Sequence, residues 1–246
     1  MRSTAARVFG LFVVVLVGCG RPGWSGSPPL TIEVIGDSQA QGLAGALQRA
    51  ALHQPQYHVL DRSKIATGLG LHGTYDWPTE ARALVGAGPR PDIVVAMIGA
   101  NDRPPIRRDG KVDATLRERF RRAYAERARE VMGAFRDADI AMIWVGEPIV
   151  QDGAYREDMA LLNSICQEAA AKEAVQWLST WDIGSDGADG YSAFGKGSDG
   201  MTQRLRADDG VHFTPAGYDV IAARLKPMLV ARPAMLAPRP ALGLIQ

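Results

Sequence analysis

Thr31-Ile32-Glu33-Val34-Ile35-Gly36-Asp37-Ser38-Gln39-Ala40-Gln41-Gly42-Leu43 is an apolar run that stops at a Gly-Asp-Ser turn and opens onto a helical pattern. It reads as a buried strand that delivers Ser38 to a helix N-terminus. The unpaired N–H groups of a first helical turn, together with the helix dipole, stabilise negative charge developing beside such a hydroxyl. Taken alone, Asp37 and Ser38 have a simpler use, since both are preferred N-caps. Whether Ser38 is more than a cap depends on the partners that the rest of the chain supplies.

Downstream, Leu43, Leu47, Ala50 and Ala51 recur at helical spacing, and Tyr57-His58-Val59-Leu60 makes the next short strand. Gly68, Gly70 and Gly73 mark Ala66–Tyr75 as a loop. Pro78 suits the first turn of a helix that reaches Leu84-Val85 and stops before Gly86 and Gly88. Asp92–Ile98 is continuously apolar, as a central parallel strand covered on both faces should be, and ends at Gly99-Ala100-Asn101-Asp102. The spacing predicts a long helix over Lys111–Arg136, with Leu116, Phe120, Tyr124, Val131 and Phe135 inward. Ile140–Val145 is a fourth buried strand ending at Gly146-Glu147-Pro148. Tyr155–Lys172 is another amphipathic helix, Val175–Leu178 a fifth strand, and Thr214-Pro215 opens a last helix through Leu229. Strands alternating with helices predict an α/β fold, a three-layer α/β/α sandwich on a parallel, flavodoxin-like five-stranded sheet. In such a sheet Ser38, Asn101 and Glu147 all fall at carboxyl ends of strands, where functional groups gather. Gly184–Gly200 reads as a mobile surface loop, and its place before the last motif also suits a flap over a substrate. Asp186-Gly187-Ala188-Asp189-Gly190 lacks the alternate carboxylates of a calcium loop.

The 246 residues fit one domain, 30–231, with tails. With 28 Lys and Arg against 27 Asp and Glu, no field favours nucleic acid as a partner. Arg2 and Arg7 precede the apolar run Val8–Val17, which is short for a membrane span and suits a secretory signal over residues 1–18. Leu16-Val17-Gly18-Cys19 resembles the bacterial lipoprotein processing box. The resemblance implies a lipid anchor on Cys19, hence a membrane partner and a place on the periplasmic face of the cell envelope. Residues 19–29 are rich in Gly, Pro and Ser and read as a flexible tether, and residues 232–246, rich in Pro and Ala, as a disordered tail. Cleavage would leave 26 basic residues against 27 acidic. Cys166, in a helical pattern, is then the only remaining thiol, and a buried, inert role is expected of it.

Asp208-Asp209-Gly210-Val211-His212-Phe213-Thr214 is the last ordered motif. The three-residue offset lets the Asp209 carboxylate fold back on the imidazole Nδ1–H and leave Nε2 as a base. Gly36-Asp37-Ser38, Gly99-Ala100-Asn101-Asp102 and Asp209-Gly210-Val211-His212, in that order, resemble the SGNH (GDSL-like) hydrolase superfamily, and within it a bacterial domain-of-unknown-function branch. The resemblance spans about Ile32 to Leu229. It implies Ser38 as nucleophile, His212 as general base and Asp209 as the group orienting the imidazole, with no cofactor. It also implies an oxyanion hole made by the Ser38 N–H, the Asn101 side chain and a loop glycine N–H, for which Gly68 is the choice and the neighbouring Gly70 the alternative. Two departures stand out: Gln39 where an apolar leucine is common, and Phe213-Thr214 where proline is frequent after the histidine.

Arg103 and Glu147 are the candidates to meet substrate, although Arg103 suits a salt bridge to Asp102 or a neighbour equally well. His53, His58 and His72 have no spacing that suggests a metal site. Trp77, Trp144, Trp177 and Trp181 are expected in packing. The reading is a serine esterase that hydrolyses an O-acyl ester, expected to be O-acetyl, on an envelope glycan. An O-acyltransferase with the same triad and a non-catalytic binding lipoprotein are the alternatives. Oligomeric state is left open.

Overall fold

In the computed structural model, residues 29–70, 75–187 and 190–230 are described. The expected signal peptide, Cys19 and the tail over 232–246 lie outside them, as does nearly all of the tether. Strand β1, Leu30–Gly36, leads through Asp37 into helix α1, Ser38–Ala51. Strand β2, Tyr57–Asp61, pairs with β1 in parallel, with Leu30 opposite Tyr57. Helix α2, Trp77–Gly86, has Asp76 as N-cap, and Pro78 falls in its first turn as the sequence predicts. Strand β3, Ile93–Met97, lies on the other side of β1, with Gly36 opposite Met97.

The chain then departs from expectation. Arg107–Arg108 (β4) and Lys111–Val112 (β5) form a small antiparallel hairpin, so the long helix α3 runs Ala114–Asp137 and does not begin at Lys111. Asp113 sets the boundary by accepting hydrogen bonds from the Thr115 and Leu116 N–H groups. Strand β6 is Ala141–Val145, helix α4 is Gly153–Glu173, and strand β7 is Gln176–Leu178. The segment Gly184–Gly200, read as a loop, holds a bridge between Ser185 and Tyr191 and strand β8, Phe194–Lys196, which forms a second hairpin with β9, Thr202–Arg204, just beyond it. Helix α5, Pro215–Val230, closes the domain.

The main sheet is five-stranded in the order β2-β1-β3-β6-β7, and all of its pairings are parallel. Its central strands explain the continuous apolar runs. Val94, Ala96 and Trp144 face a core built with α2, α3 and α4, while Ile93, Val95, Ile143 and Val145 face a core built with α1 and α5. Apolar residues are therefore needed at every position rather than at alternate ones. Trp77 and Trp144 are buried in the first core, Trp177 and Trp181 pack against it, and Cys166 is buried within it. Order reverses between β1 and β3, so a crevice forms outside their carboxyl ends. At the opposite end of the strands, Leu229 of α5, Ala50 of α1 and Tyr57 of β2 line one groove, so β1 begins and α5 ends on the side away from that crevice.

Candidate active site

Asp37 caps α1 through Gln39 N–H at 2.9 Å, and its other carboxyl oxygen accepts from Gly99 and Ala100 N–H at 3.0 and 2.9 Å. One buried carboxylate thus fixes the turn after β1 to the turn after β3. It leaves Ser38 in the first turn of α1, half-buried, where the N–H has no acceptor within the helix. Burial pushes the Asp37 carboxyl up to about 6, against the three N–H groups that stabilise its charge.

The Asp209–His212 segment comes to Ser38 from far along the chain. Ala207 N–H donates to the His212 carbonyl at 2.9 Å, and Gly210 adopts a positive φ of 69° that a side chain would disfavour. This turn folds Asp209 back: one oxygen accepts from the Val211 and His212 N–H groups, and the other lies 2.7 Å from His212 Nδ1. With Nδ1 carrying the proton, Nε2 accepts from the Ser38 hydroxyl at 2.8 Å. Burial raises the Asp209 carboxyl, but the ring and backbone donors outweigh it and hold the group down at about 2.

Asn101 is exposed at the crevice, and its Nδ2 donates to the Thr67 carbonyl at 2.9 Å. This bond joins the Asn101 turn to the loop that carries Gly68. Asp102, the next residue, is buried and accepts from Leu69 N–H and Gly70 N–H at 2.8 Å each and from the Tyr124 hydroxyl at 2.7 Å. The Gly70 N–H is therefore consumed, whereas the Gly68 N–H has no partner among the described residues. The geometry favours Gly68, the glycine chosen from the sequence, over Gly70. A Cβ at either would run into the Asp102 carboxyl, which explains why both are glycine.

The two candidates for substrate contact behave differently. Arg103 does not pair with Asp102; its Nε donates to the buried Asp158 at 2.9 Å, and its guanidinium stacks 4.3 Å over the Tyr155 ring. Tyr155 in turn donates to the Ala100 carbonyl. The side chain remains half exposed beside the Asn101 turn. Glu147 sits at the end of β6 as expected, but it is only 3% exposed, so direct contact with a substrate is not what its position offers. Burial, with Asp37 and Asp102 nearby, raises its carboxyl well above the ordinary range. Sequence reading missed Asp102, whose role depends on groups about thirty residues away, and Arg206, which is buried behind the His212 turn. Among the described residues, no group of His, Cys, Asp and Glu side chains is arranged to hold a metal ion.

The model of the family described as "Protein of unknown function (DUF459)" matches residues 31–228, from β1 nearly to the end of α5. The chain belongs to this family. No curated protein sequence matches it. The DUF459 domain resembles, among solved structures, the acetyl xylan esterase AlAXEase, with 14% identity, a TM-score of 0.54, and 82% of this chain and all of that one covered. It also resembles a variant of Axe2, an acetyl-xylooligosaccharide esterase from Geobacillus Stearmophilus, with 14% identity, a TM-score of 0.55, and 82% and 95% covered. A GDSL-like lipase from Bacteroides thetaiotaomicron superposes with 14% identity and a TM-score of 0.51 over 81% of this chain and 87% of that one. At such identities the likeness establishes the fold of the DUF459 domain, and that fold is the one the SGNH resemblance implies.

Proposed function

We propose that this chain is a serine esterase that hydrolyses an O-acyl ester through an acyl-enzyme on Ser38, with an O-acetyl group on an envelope glycan as its substrate. The observation that carries the reading is the continuous relay from Ser38 Oγ through His212 to Asp209, with both links under 3 Å. A capping serine has no need of it. As Ser38 attacks the ester carbonyl, its proton passes to Nε2, and Asp209, ionised across the ordinary pH range, stabilises the imidazolium. The carbonyl oxygen gains charge as the tetrahedral intermediate forms. The N–H groups of Ser38 and Gly68 and the Asn101 amide are the donors for it, each worth about 10² to 10³ in rate. Collapse expels the alcohol, which takes the proton from His212. Water then loses a proton to His212, attacks the Ser38 ester and releases the acid, restoring the hydroxyl.

The acetyl preference is supported by the names of the structural neighbours, two of which are acetylated-xylan esterases. The envelope location rests on Arg2, Arg7, the apolar run Val8–Val17 and Cys19. The test is Ser38→Ala: turnover of 4-nitrophenyl acetate and labelling by a fluorophosphonate should both vanish. Unchanged turnover in that variant overturns the mechanism. Incorporation of radioactive palmitate that survives Cys19→Ser overturns the anchor. Predominant transfer of acetyl to an added glycan would instead select the acyltransferase.

A further inference from the structure

Gln39 follows the serine in sequence and Val211 precedes the histidine, and these two residues are bonded. Gln39 Nε2 donates to the Val211 carbonyl at 2.8 Å. Gln39 is 0% exposed, so its amide needs a partner at both ends. Tyr218, on α5, supplies the second by donating its hydroxyl to Gln39 Oε1 at 2.8 Å. Space for that approach comes from Gly42, where a Cβ would collide with the Tyr218 ring. A glycine inside a helix is less favourable than alanine, so α1 gives up stability to admit the tyrosine.

The Val211 carbonyl has a second donor, Arg206 Nη2, at 2.6 Å. Arg206 is fully buried, with Nε 3.3 Å from the His212 carbonyl and Nη1 donating to the Ile149 carbonyl. Its guanidinium lies 4.5 Å from the Phe213 ring centroid and 5.3 Å from that of Tyr191. No carboxylate pairs with it among the described residues. A buried cation devoted to backbone carbonyls is expensive, and what it holds is the peptide on which the imidazole is mounted.

We propose that Gln39 is a positioning residue that registers the His212 imidazole on Ser38 by bridging Tyr218 to the Val211 carbonyl, with Arg206 as the second donor to that carbonyl. The inference rests on the esterase reading. Gln39→Leu removes both amide bonds and keeps the bulk. It should lower kcat for 4-nitrophenyl acetate and the rate of fluorophosphonate labelling by about tenfold, with KM changed less than twofold, since small misplacements of reacting groups are costly. Tyr218→Phe should produce a smaller loss of the same kind, and the double variant should be no slower than Gln39→Leu alone, because the two act through one chain of bonds. If Gln39→Leu does not fold, Tyr218→Phe carries the test by itself. A lowered Tm with wild-type kcat and labelling rate in the folded variants overturns the proposal, because a merely structural bond would give that result. If wild-type protein neither turns over ester nor takes the label, it is the esterase reading that has failed. His212 ring resonances then decide the positioning claim: broadening in the variants supports it, and spectra identical to wild type overturn it.

Discussion

Glu147, two residues past the end of β6, has both carboxyl oxygens buried and without a well-formed hydrogen-bond partner. Such a place disfavours the charged carboxylate, and burial, with Asp37 and Asp102 nearby, shifts its pKa upward. The sign for stability is opposite to that of a salt-bridged acid. The folded state keeps the proton that the unfolded chain loses near 4.5, so this group weakens the fold progressively as pH rises above that value. Glu147→Gln, which cannot ionise, should leave Tm unchanged below pH 4.5 and raise it increasingly toward pH 7, as thermal unfolding across pH will show. Asn101 poses a chemical test at the same scale. Asn101→Ala should cost about 10² to 10³ in kcat with little change in KM if the amide serves the oxyanion, whereas loss of its bond to Thr67 alone would show chiefly in Tm.

Elements differ in how plainly they declare themselves. β3 and β6 were legible because both of their faces are buried, which forces an unbroken apolar run, and α2 and α5 because Pro78 and Pro215 mark their first turns. The two hairpins were not legible. Their strands are two or three residues long, carry arginine, lysine and glutamine, and bury too little apolar surface to set a period. For the same reason the start of α3 was placed too early: Lys111 and Val112 fit a helical pattern, and only the Asp113 cap shows where it stops. Asp113→Ala should therefore destabilise α3 by about 1 kcal/mol, read in denaturant unfolding, and leave esterase activity per folded molecule intact. The main elements of the candidate site were legible because the Gly-Asp-Ser, Asn-Asp and Asp-x-x-His blocks are local. The buried acids and Arg206 that hold those blocks together act across loops distant in sequence, where no spacing reveals them.

At the scale of the whole molecule, β1 begins and α5 ends on the side away from the crevice. If Cys19 carries lipid, the ten residues 20–29, eleven Cα-to-Cα steps in all, separate it from Leu30. However arranged, they extend at most about 40 Å, and the strands themselves add about 20 Å. The crevice would then reach no more than about 6 nm above the bilayer. Shortening residues 20–29 should shrink that reach and slow deacylation of an immobilised polymer held at a fixed height while sparing a soluble aryl acetate. A spacer of equal length added after Val230 should alter neither, because the leash pulls at only one end.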